Sequence, residues 1–158
     1  MFRNLNIKPS YYTDEGNIAQ DFYNPVLSHS IQYNRVSGYF SAKALAAYSQ
    51  GIQGLIHNGG KMRLIISHEI SEADYDLIKE GYKLRENLES ELLNRLNEPL
   101  SLTEQINFCN LAHLIALGHV DIKVGFTHRG IFHTKYGICI DTLGDIIYFT
   151  GSNNETEA

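Results

Sequence analysis

The pattern of the chain predicts an α/β fold: a layered sheet flanked by helices. Three observations carry that prediction. Segments with apolar residues at helical spacing alternate with short β-prone runs, Gly and Asn punctuate the joins, and no internal repeat or low-complexity tract interrupts the alternation. Composition agrees with it. Of 158 residues, 43% are apolar and 20% charged, enough for a core that needs neither disulfide nor metal staples. Residues 1–158 therefore read as one domain, and an ending in a polar loop soon after a strand is expected of a piece of a longer protein.

Each element has its own justification. After a polar start, residues 17–27 read as a short helix and 31–39 as a strand containing Ile31, Tyr33 and Val36. Ser41 opens a helix in which Ala44, Leu45, Tyr48, Ile52, Leu55 and Ile56 recur at helical spacing, and Asn58-Gly59-Gly60 supplies a left-handed exit. Residues 61–67, Lys-Met-Arg-Leu-Ile-Ile-Ser, read as a strand buried enough to lack alternation. Ser71-Glu72-Ala73-Asp74 has the form of a capping box and starts a charged helix expected to run close to Asn97, before Pro99. A second box, Ser101-Leu102-Thr103-Glu104, opens a helix carrying Ile106, Cys109, Ala112, His113 and Leu117 to an end at Gly118. Three strands follow, at 120–126, 132–140 and 146–150.

Charge and cysteine content narrow the function classes. The net charge of −5 does not advertise a nucleic-acid binder. Its distribution says more. Between Glu69 and Glu104 ten acids face four bases, the expected solvent sides of two helices, whereas between Asp121 and Tyr136 the only acid is Asp121, beside Lys123, His128, Arg129, His133 and Lys135. No apolar stretch approaches the roughly 20 residues of a membrane span, and 1–6 lack a secretory core. With only Cys109 and Cys139, a reducing cytoplasm is the expected compartment.

The chemistry-bearing stretch is Phe132-His133-Thr134-Lys135-Tyr136, then Asp141, then Gly151-Ser152-Asn153-Asn154. Side chains two apart on a strand share a face, so His133 and Lys135 are expected to project together, a nucleophile beside a cation. If the two strands are neighbours, His133, Lys135, Ser152 and Asn154 converge on one pocket, with Gly151 allowing close approach. Such a group suits a phosphate: imidazole attacks phosphorus while Lys and Asn hold the charged oxygens.

These residues resemble the phospholipase D superfamily, whose signature is His-x-Lys, an Asp shortly after, and Gly-Ser-x-Asn beyond. Here it stands as His133-x-Lys135, Asp141 and Gly151-Ser152-x-Asn154. One departure is visible: five residues separate Lys135 from Asp141 where the commonest family spacing has four. Ser37-Gly38-Tyr39-Phe40-Ser41, residues 59–66 and the terminal Gly-Ser-Asn-Asn-Glu-Thr are also similar to the phospholipase D-like domain that precedes helicase motors in bacterial DEAD/DEAH-box proteins and restriction-like nucleases. The resemblance covers most of the chain and is strongest from Phe132 onward.

What the resemblance implies is a phospholipase D-like fold and a metal-independent phosphodiesterase with no cofactor, working through a phosphohistidine intermediate and taking DNA as its substrate. His133, Lys135 and Asn154 would be catalytic, with Lys135, Ser152 and Asn154 on the phosphate, Gly151 and Asp141 in support, and Lys123, His128 and Arg129 along the nucleic-acid backbone. Family members with one motif pair two chains, so a homodimer is implied, with a helicase motor in the same native chain and no membrane partner. The alternative is a non-catalytic nucleic-acid or phosphate-binding module of a helicase.

Several residues keep two readings. Asp141 either orients a neighbour or anchors a turn with Thr142 and Gly144. Ser41 is an N-cap or a phosphate contact at a helix start, and Arg35 meets phosphate or pairs with an acid. Tyr39 and Phe40 read more readily as core than as stacking platforms. Cys109 and His113 stand four apart on a helix, too few ligands for zinc. His68 lacks a Lys two residues on, and the segment 54–61 does not complete a phosphate loop.

Overall fold

The computed structural model describes residues 1–94, 111–125, 128 and 133–151. Five strands, β1 (Ser30–Ser37), β2 (Lys61–Ser67), β3 (Val120–Gly125), β4 (Tyr136–Asp141) and β5 (Ile146–Thr150), form one mixed sheet in the order β3-β2-β1-β4-β5. The parallel pairs β1–β2 and β2–β3 need crossovers, and helices supply them. The first crossover holds α2 (Ala42–Ala46) and α3 (Ser49–His57), and the second holds α4 (Glu72–Asn94) and α5 (Leu111–Ala116). Before β1, a π-helical turn, Ala19–Tyr23, runs directly into α1 (Asn24–Ser28). β4 pairs antiparallel with β1, and β5 antiparallel with β4, so β5 runs in the direction of β1.

One face of the sheet makes the core. Tyr33 pairs in register with Met62 and with Cys139, and Leu64 with Ile122, and all five are buried together with Leu27, Ile52, Leu55 and Ile115 of the helices. The opposite face is open in part: Ile65, Ile146 and Tyr148 are exposed. β2 accordingly alternates, with Met62, Leu64 and Ile66 inward and Lys61, Arg63 and Ile65 outward, where its apolar sequence suggested burial on both sides. Three consecutive apolar residues, Leu64 to Ile66, do not by themselves say how many faces are covered.

Local details follow from particular residues. Ser41 is extended and precedes α2, but its hydroxyl does not cap it; the Ala42 N–H donates instead to Asp74 Oδ1 at 3.1 Å, so the first turn of α4 holds the start of α2. The single helix expected after Ser41 is two, broken at Tyr48, whose backbone leaves the helical region and whose ring stacks on Tyr23 at 4.8 Å. Gly59 at φ 73° and Gly118 at φ 77° make the left-handed exits. At the start of α4, Ser71 Oγ accepts the Asp74 N–H at 3.1 Å, half of the capping box. The segment from Ser101 to Asn110, with Cys109, and the expected end of α4 near Asn97 lie outside the described residues.

The outer edge of β3 is sealed by α4. Tyr82 Oη accepts the Ile122 N–H at 2.9 Å and donates to the Ile122 carbonyl at 3.1 Å. Arg85 donates to the carbonyls of Ile115 and Val120 and to Asp121 Oδ1, at 2.7, 3.0 and 2.7 Å. Pairing the backbone groups of Val120 and Ile122 with side chains takes them from any added strand. No helix among the described residues is long and apolar enough to cross a membrane.

Candidate active site

The strand directions gather several chain segments at one end of the sheet. β1, β2, β3 and β5 all leave the sheet there, through Ser37, Ser67, Gly125 and Thr150, while β4 enters there at Tyr136. In open α/β sheets the loops beyond strand carboxyl ends carry ligands, because they can vary while the sheet holds them in place. His133 and Lys135 lie in the segment that feeds β4 at this end. The strand expected from residue 132 begins only at Tyr136, so the two side chains are not placed by strand alternation.

Other contacts place them. The ring of Tyr39, just past the end of β1, meets the ring of His133 edge to face, with centroids 6.1 Å apart. Lys135 is fastened on both sides: its carbonyl accepts Thr150 Oγ1 at 2.9 Å, and its Nζ donates to the His133 carbonyl at 2.9 Å. Ser37, fully buried, donates from Oγ to the Tyr39 carbonyl at 2.6 Å and so shapes the turn that carries Tyr39. His133 itself is exposed, Lys135 half-buried, and Gly151 stands exposed just beyond β5. An imidazole reachable from solvent, an ammonium two residues on and an adjacent glycine can meet an anionic ligand.

The sequence-derived residues are not all in this place. Ser152, Asn154 and Arg129 lie outside the described residues. Lys123 points outward from β3, and His128 follows that strand, two strand spacings or roughly 10 Å from β1. Asp141 is at the other end of β4, roughly 17 Å of strand from Tyr136. It therefore orients no neighbour of His133, which corrects that expectation. Its carboxylate accepts the N–H groups of Phe2 at 2.8 Å, Leu143 at 2.9 Å and Asp145 at 3.0 Å, closing the β4–β5 turn and pinning the amino-terminal segment. Burial alone would raise its pKa, but these three donors outweigh burial and hold it below the ordinary value.

One other titratable group, Cys139, is settled by its surroundings. Burial pushes the Cys139 thiol up to about 12 against smaller opposing effects of Ser30 and Arg35, leaving it inert as a nucleophile at neutral pH. Among the described residues no group of three or more His, Cys, Asp or Glu side chains could hold a metal ion.

Sequence reasoning passed over the amino-terminal segment, which lines a cleft beside β5. The available signal was Tyr11-Tyr12 inside an otherwise polar start. No family model, curated protein or solved structure matches this chain.

Proposed function

We propose that this chain is a phosphodiesterase of the phospholipase D type that hydrolyses DNA without a metal ion, through a phosphohistidine intermediate. The observation that carries the reading is the placement of His133 and Lys135 where β1, β2, β3 and β5 all end, with Tyr39 against the imidazole and Gly151 alongside. The order His-x-Lys followed by Gly-Ser-x-Asn supports it further. A phospholipase D-like sheet, the homodimer and attachment to a helicase or restriction-type motor in a longer chain belong to the same proposal.

In this reading a ring nitrogen of His133 attacks phosphorus, a P–N bond forms and the P–O bond to the leaving oxygen breaks. The partner subunit's His133 gives that oxygen its proton. It then takes a proton from water, whose oxygen displaces His133 from phosphorus and frees the phosphomonoester. Lys135 neutralises charge on the non-bridging oxygens, assisted by Ser152 and Asn154.

The test is cleavage of end-labelled single- and double-stranded DNA in excess EDTA, comparing the protein with His133→Ala. Cleavage that survives chelation and falls at least about a thousandfold in the variant, with DNA affinity nearly unchanged, is expected. DNA bound but uncut by both proteins would replace this reading with that of a non-catalytic binding module.

A further inference from the structure

Beside the proposed active end lies a cleft of about 580 Å³, between residues 7–13 and β5. Thr150 and Gly151 line it, so it is continuous with the place where Thr150 fastens Lys135. Its charged lining is of one sign. Lys8 and Arg35 are the only ionised side chains among its described lining residues, in a chain with 18 acids against 13 bases. Its remaining surface is rich in aromatic rings, Tyr12, Tyr148 and Phe149 among them.

The aromatic parts differ in role. Phe149 is fixed from behind, with the Arg35 guanidinium 5.2 Å from its ring centre and Tyr33 stacked at 6.4 Å, so this wall is built rather than adaptable. Arg35 is 2% exposed and serves as the backing of that wall, its guanidinium over the Phe149 ring. Tyr12 is 57% exposed and Lys8 is exposed too, leaving both side chains accessible from solvent. Exposed rings next to cations form the recurring platform for unpaired bases, since every base has a face to stack and every linkage a charge to hold. A duplex keeps its bases stacked inside and offers such rings nothing.

We propose that this cleft binds single-stranded nucleic acid, one base resting on Tyr12 and a phosphate on Lys8, and leads the strand to the active end. The inference rests on the phosphodiesterase reading for what happens at His133, but its affinity is measurable without any cleavage.

The experiment measures fluorescence anisotropy of a labelled short oligothymidylate and of a duplex of equal length, in the His133→Ala background at several salt concentrations. The oligothymidylate is expected to bind more tightly than the duplex. Tyr12→Ala is expected to weaken it at least about fivefold, and Lys8→Ala to flatten the slope of log affinity against log salt by roughly 0.7. Tyr75→Ala, which removes an exposed ring from α4, is expected to change neither. Equal affinity for the duplex, or both cleft variants binding like the parent, would overturn the proposal. Should that happen while chelator-resistant cleavage remains dependent on His133, the cleft inference fails alone. Binding that depends on Tyr12 and Lys8 without any cleavage sustains the cleft and removes the phosphodiesterase.

Discussion

Asp141 is a buried carboxylate that stays ionised because three backbone donors converge on it. Its folded pKa lies below the ordinary 3.8, so the unfolded chain binds the proton more readily. The stabilisation is therefore complete at neutral pH and is lost as pH falls below the unfolded value, through the folded one. Asp141→Asn is expected to lower the melting temperature at pH 7 and to flatten the loss of stability below about pH 4, seen by circular dichroism. Chain order showed that Asp141 follows His133 and Lys135, but only the length of β4 separates them in space. Turn chemistry, Asp141 with Gly144 three residues on, was the legible part. Tyr39 was legible as an aromatic and not as the neighbour of His133, because that contact joins two loops whose meeting depends on strand order.

The presence of β2, β5 and a helix across α3 was legible from their apolar residues, whereas the break at Tyr48 and the open outer face of β2 were not. Gly51 and Gly54 within α3 look like weaknesses in the sequence. They are contact points. A Cβ on Gly54 would stand 2.6 Å from Ser28 Cα, and one on Gly51 would stand 2.9 Å from Asn24 Cα, whose side-chain Oδ1 accepts the Gly51 N–H at 2.8 Å. Gly54→Ala gains about 1 kcal/mol of helix propensity, but the clash is with backbone, and overpacking costs roughly 1–3 kcal/mol. The clash wins. A lower urea midpoint with an unchanged m value is expected, and a rise in the midpoint would show that α1 and α3 can separate cheaply. Gly137 repeats the logic in the sheet, since its absent side chain leaves the room that the Phe149 ring fills.

At the scale of the molecule, the two sheet edges are treated differently. Tyr82 and Arg85 close β3, whereas β5 is the outermost strand on the other side and exposes Ile146 and Tyr148. Two copies pairing antiparallel through β5 would point the ends that carry His133 in opposite directions, so the proposed shared site requires contact at the His133 end instead. Ile146→Lys, at the far end of β5, is expected to leave sedimentation as a dimer intact, with specific activity falling on dilution in variant and parent alike. Loss of the dimer in Ile146→Lys would rule out a shared site. Neither edge was readable in the chain, because sequence gives strands and not their order.

That order also has a consequence in time. The middle strand β1 finds one neighbour in β2, soon after it in the chain, and the other in β4, near the far end, while Phe2 meets Asp141 across 139 positions. At a synthesis rate of about 5–20 residues per second, one side of β1 stays unpaired for on the order of ten seconds after β2 has emerged. The parallel half can assemble in that interval. His133 and Lys135 arrive with the β4–β5 hairpin, so a nascent chain cannot set them beside Tyr39 until β4 and β5 dock.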